Sequence, residues 1–377
     1  MAKNKYTPPR PNQIGEQLPY FEFNEDAKSP LYRVHLLKDG AMGVCWKCPV
    51  PASYSYDGGY NQTINEWRTF LESLPEGYEA QMIMTSHNNL GRQMQSYLQA
   101  TPDMQRAQML RQSRAEKIVD AGLRGYAVSE RGYTRLRETY CVITLRSPEQ
   151  SNKLGFLATL VDALFQAVNL VFQTFQLDLS QYAGKLIDDL VRANLADFRE
   201  AIMSAENNLS DMFELHRMSL EELKDHYWTA YCPSYRDPGQ RPVIDPLMDF
   251  SSQVIPLPVE NFHHIVKLGD DYHGTVMMAM MPDSVMPDFL GTIRRTLVGQ
   301  TTMFMNFSSA NQTLEKIQLT LSAALRKRVA SAFNKEEAEA FAEEATQTKT
   351  RLFSGRKIVY TMVGVIVHGK TLEAVED

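Results

Sequence analysis

Apolar residues recur along this chain in two rhythms, and the switches between them mark out its elements. Residues 31–37 (LYRVHLL) and 42–50 (MGVCWKCPV) read as strands, and Asp39-Gly40 between them suits the positive φ of a tight hairpin turn. Over 61–74 the apolar positions Ile64, Trp67, Phe70, Leu71 and Leu74 fall at helical intervals, Pro75 stops the helix, and 78–86 (YEAQMIMTS) follows as a strand. Residues 88–137 turn polar and Arg-rich, which predicts a helix with a broad solvated face, before strand composition returns at 139–147 (TYCVITLRS). From 150 to 230 the pattern is almost entirely helical, and Ser219 with Glu222 three residues on forms a capping-box signature.

Beyond a Pro-rich linker at 233–246, strand runs recur at 263–269 (HHIVKLG), 273–281 (HGTVMMAMM) and 301–307 (TTMFMNF), with a helix expected over 289–297. Residues 312–348 read as a long charged helix and 356–369 (RKIVYTMVGVIVHG) as a β-branched strand. The predicted class is α/β (α+β), mixed sheets with a large helical insert. We divide the chain into a flexible arm at 1–17, an N-terminal α/β lobe at 18–150, a helical insert at 151–250 and a second α/β lobe at 251–377.

Composition changes this picture mainly by exclusion. The 377 residues carry 39 basic and 45 acidic side chains, a net charge of −6, with 44% apolar positions, which is ordinary for a globular chain. A pI near 5.8 argues against nucleic acid as a direct partner of the whole surface. Four cysteines are too few for a disulfide scaffold, the N-terminus lacks the apolar core of a signal peptide, and a reducing cytoplasmic setting is expected. The greasiest stretch, 154–179, is broken by Asp162, Gln166, Asn169, Gln173 and Gln176, so no transmembrane span is predicted.

Several motifs carry candidate chemistry. Gly364-Val-Ile-Val-His-Gly369-Lys370-Thr371 matches the phosphate-loop pattern GxxxxGK[ST]. A working loop must curl its amides onto phosphate and lead into a helix, whereas Val365, Ile366 and Val367 favour extended backbone, and only 372–377 follow the motif in this sequence. We read it as a decoy, with a small phosphate-loop NTPase as the alternative. Cys45-Trp-Lys-Cys48 has the spacing of a redox pair or half a zinc site but lies in a strand segment, and we read chance strand cysteines, with a thiol protein as the alternative. His263, His264 and His273 flank a turn and are read as strand-end residues.

Three surfaces are also worth weighing. The methionines 277, 278, 280, 281, 303 and 305 suggest either a pliable docking surface or a sheet core, and the core is the reading taken. Arg106, Arg111, Arg114, Lys117 and Arg124 are interleaved with Asp103, Glu116 and Asp120, which favours a solvated face. Phe156, Leu160, Leu164, Val168, Val171, Phe172 and Phe175 give one helix an apolar face wide enough to be a partner-docking candidate. No residue is assigned a catalytic or metal-binding role.

LPYFEFNED (18–26) and LYRVHLLKDGAMGVCWKCPVP (31–51) resemble the opening of the TraC-type ATPases of conjugation and type IV secretion, the largest VirB-class ATPase. In the same order, WRTFLESLPEGYEAQMIMTSH (67–87), LSDMFELHRMSLEELKDHYWTAYCP (209–233) and MMAMMPDSVMPDFLGTIRRTL (277–297) are similar to the family's helix–Leu-Pro–strand, helical middle and strand–Pro–helix. The resemblance rests on order and spacing over about 18–371 and includes no motor motif. It implies an N-terminal assembly and docking region without its RecA-like motor, where ATP and Mg²⁺ would bind. It also implies inner-membrane secretion-channel subunits as partners, a homo-oligomeric ring, a hexamer in the full-length protein, and a peripheral place at the cytoplasmic side of the bacterial inner membrane. No cofactor and no hydrolysis are expected of this chain alone.

Overall fold

In this computed structural model the described residues are 20–49, 57–148, 179–232, 257–279, 300–312 and 356–376, apart from short gaps at 30, 38–40, 89, 100–104, 130–131 and 135, together with isolated positions including Tyr235, Arg241, Val254 and Glu315. Ten strands form one path in the order β1 (Tyr20–Phe23), β2 (His35–Leu37), β3 (Met42–Cys48), β7 (Glu138–Arg146), β4 (Glu79–His87), β12 (Gln300–Ser309), β13 (Val359–Gly369), β11 (Asp271–Met277), β10 (Ile265–Leu268), β9 (Val259–Phe262). A two-residue strand, β8 (His216–Arg217), adds to β3, and β5 (Tyr126–Ser129) pairs with β6 (Gly132–Thr134) as a separate ribbon. Neighbours along the path are antiparallel throughout. The pairing of β4 with β12 puts strands from 18–150 and from 251–377 into the same sheet.

Helices α1 (Asp57–Ser73), α2 (Gly91–Gln99), α3 (Gln105–Leu123), α4 (Leu179–Leu209), α5 (Leu220–Tyr231) and α6 (Glu373–Glu376) complete the described elements. The mixed α/β class expected from the pattern is therefore the observed one, and α4 and α5 come from the helical stretch between the strands. None of the described helices is long and apolar enough to cross a membrane.

Strand alternation divides the sheet into two faces. One face, here face A, carries Met42, Val44, Trp46, Ile143, Leu145, Ala80, Met82 and Phe307. It is covered by α1, through Trp67 and Phe70, with Leu74 just past its end, and by α4, whose Phe198, Ala201, Ile202, Ala205 and Leu209 recur at helical spacing. Trp67 meets Phe70, Phe213 and Phe307 at ring-centroid distances of 5.7, 5.9 and 6.0 Å. The opposite face B packs Leu37, Cys45 and Val142 against Met218 and Leu223 at the start of α5. Helix α5 begins where its sequence says: the Ser219 side chain accepts from the Glu222 amide, and Glu222 accepts from the Ser219 amide at 2.8 Å.

Three readings change. The single helix expected over 88–137 is α2, α3 and the β5–β6 ribbon: Gly125 turns the chain at φ +84°, and the residues after it pair as a hairpin instead of continuing the helix. The first hairpin strand is shorter than 31–37, because Arg33 sits at φ +62° and the turn before β2 is fastened by Asn24, whose backbone exchanges hydrogen bonds with Arg33 and Val34. The nearly unbroken helix of 150–230 is interrupted at 210–219, where β8 pairs with β3. The helix expected over 289–297, residues 316–346 of the helix expected over 312–348, and 151–178 all lie outside the described residues.

Candidate functional site

The most unusual chemistry sits on face B where β4 and β13 end and β7, β11 and β12 begin. Register brings polar residues of five strands into one buried band: Glu138 opposite His87, Tyr140 opposite Thr85, Thr302 opposite Thr85 on the other side, and His273 opposite His368. Thr85, His87, Thr302, His368 and His273 are all buried. The C-terminal half of α5 roofs part of this band. Its His226 ring lies edge-on to Tyr140 at 5.9 Å, with Nδ1 3.3 Å from the Tyr140 hydroxyl.

Hydrogen-bond geometry fixes protons in this band. Thr302 Oγ1 lies 3.2 Å from the carbonyl oxygen of Ala230, which can only accept, and 3.0 Å from His368 Nε2. For both bonds to form, Thr302 donates to Ala230 and His368 Nε2–H donates to Thr302. If the ring is neutral, His368 Nδ1 then carries a lone pair and accepts from His273 Nδ1–H across 2.7 Å. The strand ends thus hold a directed chain from His273 through His368 and Thr302 to the last turn of α5. To one side His87 Nε2 meets Glu138 Oε2 at 3.0 Å. His87 Nδ1 and Thr85 Oγ1 are buried and have no hydrogen-bond partner among the described residues, which marks the band as polar beyond what packing requires.

Burial also keeps two imidazoles uncharged. His226 is held down at about 4, chiefly by loss of solvent, with Asp225 opposing and Lys47 adding to the shift. His35, buried on the same face with Nε2 4.0 Å from Cys45 Sγ, is pushed by burial to about 3. Among the described residues no group of three His, Cys, Asp or Glu side chains is placed to hold a metal ion. The arrangement suits hydrogen bonding and proton positioning.

The phosphate-loop pattern is a strand. Gly364 to Gly369 belong to β13 and are in register with β12 on one side (Phe304 opposite Gly364) and β11 on the other (Met277 opposite Gly364). Amides that alternate between two ladders do not converge on one anion. Each named position has a packing reason instead. A Cβ at Gly364 would lie 2.4 Å from the Phe304 ring, and one at Gly369 would lie 2.6 Å from Val375 Cγ2. Lys370 Nζ reaches Asp271 Oδ1 at 2.6 Å, and Thr371 Oγ1 accepts from the Ala374 amide at 3.3 Å at the start of α6.

Cys45 and Cys48 fall on opposite faces of β3, Cys45 in the α5-side cluster and Cys48 in the face A core. His263 and His264 are exposed in the β9–β10 turn, while His273 is buried in the band described above, so the three histidines are not brought together. Arg114, Lys117 and Arg124 are solvated, Arg124 pairing with Asp120 at 2.9 Å, whereas Arg111 turns inward and donates to the carbonyls of Tyr97 and Leu98. Met303 packs in the core, but Met277 is half exposed. The candidate docking residues Phe156, Leu160, Leu164, Val168, Val171, Phe172 and Phe175 lie outside the described residues.

Thr85, His87, Glu138, Tyr140, His226, Thr302 and His368 were not singled out by pattern. The available signal was that apolar strand runs end in polar residues on one parity: Thr85 and His87 in β4, Thr302 in β12, His368 in β13. No family model matches the chain, and no curated protein matches it either.

Proposed function

We propose that this chain is an assembly and docking region of a conjugation or type IV secretion ATPase, the part that lies outside the RecA-like motor. In this reading it grips inner-membrane channel subunits from the cytoplasmic side and helps order the ATPases into a ring. ATP and Mg²⁺ act on the motor, and the work of this region is to hold partners and transmit position.

The observation that carries the reading is the fate of the one nucleotide-like motif: Gly364 to Gly369 form a strand inside the sheet, clamped between β11 and β12, with Lys370 committed to Asp271. That favours a scaffold over a nucleotide enzyme, and the order of the resembling segments points to this family of scaffolds. The polar band under α5 fits a region that holds strand ends in a fixed relation to a helix.

The test has two arms. The purified chain is melted with and without Mg-ATP, and it is co-expressed with inner-membrane channel subunits of a conjugation or type IV secretion system and isolated from detergent extract. Unchanged melting together with recovery of a channel subunit supports the proposal. A nucleotide-dependent rise in melting temperature that vanishes in Lys370→Ala overturns it in favour of the NTPase.

A further inference from the structure

The CxxC spacing points to Cys45 and Cys48 as a pair, but strand alternation separates them. The thiol that Cys48 meets comes from β7. In the β3–β7 ladder Cys48 stands directly opposite Cys141, both on face A and both buried in the same core cluster. The Ser147 amide donates to the Met42 carbonyl at 2.9 Å, so Met42 and Ser147 continue the register as a hydrogen-bonded pair. Every second pair shares that type, which makes Cys48 and Cys141 a hydrogen-bonded pair with Cα atoms about 5.5 Å apart. That lies within the roughly 4.4–6.8 Å that a disulfide spans. A hydrogen bond between the two thiols, and burial after it, raise the Cys141 pKa and keep that thiol protonated at rest.

Position in the ladder supplies the route for a reagent. Cys48 is the last residue of β3, and the exposed Pro49 after it has no N–H with which to continue the pairing. This end of the ladder opens more readily than its middle.

We infer that Cys48 and Cys141 form a cross-strand dithiol that a small two-electron oxidant such as hydrogen peroxide closes to a disulfide, tying β3 to β7. One thiolate sulfur attacks a peroxide oxygen, the O–O bond breaks, and a sulfenic acid and water result. The second sulfur then displaces the sulfenic oxygen as water. Overall two S–H bonds are lost, one S–S bond forms, and one peroxide is reduced to two waters. Cys45 takes no part, because it faces His35 on the other side of the sheet. A thiol reductant reverses the bond.

The test is a peroxide titration of the purified full chain, followed by alkylation in denaturant and peptide mass mapping. No disulfide joins any of the four cysteines in the structure, and the titration starts from the reduced chain. The expected result is loss of two alkylatable thiols, a cross-linked peptide containing Cys48 and Cys141, recovery of both thiols on reduction, and the same map in Cys45→Ala. The inference is overturned if four alkylatable thiols remain at peroxide levels that oxidise exposed methionines, if the cross-link contains Cys45 or Cys232, or if it joins two molecules. Mapping of the unsubstituted chain decides the matter even where Cys45→Ala fails to fold.

Discussion

The two faces of the sheet are built on the same strands and differ in what they bury. Face A is mainly apolar from Met42 to Phe307, with the hydroxyls of Ser86 and Thr301 buried at its edge, and is sealed by two helices whose side chains interdigitate with it. Face B is apolar where Leu37, Cys45, Val142 and Ile83 lie on it; toward the ends of β4 and β13 it buries threonines and histidines under α5. Apolar burial is non-directional and tolerates small shifts. A buried hydrogen-bonded chain does not, because each unmade bond leaves a desolvated polar atom. Face A accordingly supplies most of the stability, and face B fixes where α5 stands on the sheet.

Breaking face A should cost the most. Trp46→Ala removes a fully buried indole and its hydrogen bond to Glu206 at 2.9 Å, and is expected to lower unfolding free energy by about 3–5 kcal/mol. A urea unfolding midpoint measures it, and a loss below about 1 kcal/mol would reverse the ranking of the two faces.

Acid should separate the faces next. The folded state keeps His226 at about 4 and His35 at about 3, below the ordinary 6.5, so the unfolded chain binds more protons between those values. Their contribution is fully present above pH 6.5 and is lost as pH falls from there toward 4 and 3. For His226 the full shift corresponds to about 3 kcal/mol. Unfolding free energies measured across that range should fall with acid, and His226→Gln should flatten the slope. An unchanged slope would mean that His226 is not buried in solution.

Thr302→Val keeps the volume of the side chain and deletes the link between His368 and the α5 carboxyl end. A loss of about 1–3 kcal/mol is expected in denaturant unfolding, with α5 amides exchanging faster than those of β12. Uniform exchange in both elements would argue that Thr302 serves packing alone. Lys370→Ala should have the smallest effect, at most about 1 kcal/mol, since its side chain is 67% exposed. A larger loss would mean that buried Asp271 depends on that one cation.

Much of the fold was legible because strand and helix periods in this chain are clean. The runs of β4, β7, β12 and β13, the helix ended by Pro75 and the Ser219–Glu222 cap all follow from local rules that operate over a few residues. Residues 88–137 misled because polar composition alone does not tell a helix from a helix plus a hairpin when the turning residue, Gly125, is a single position. Little of the candidate site was legible. His87, Thr302, His368 and His226 are far apart in sequence, and each by itself looks like a polar residue at the end of an element. Likewise CxxC pointed to Cys45 with Cys48, whereas pairing of β3 with β7 set Cys48 beside Cys141.

By itself the sequence determined where most of the strands and helices lie and that Val365 to Val367 favour extended backbone over a phosphate loop, because steric preference at each Cβ acts locally. Only the tertiary structure decided that β4 pairs with β12, that threonines and histidines from four strands share one buried layer, and which thiol faces which. Register between strands far apart in the chain is a property of the assembled sheet: it is set where both faces bury their side chains together, and no short stretch contains that information.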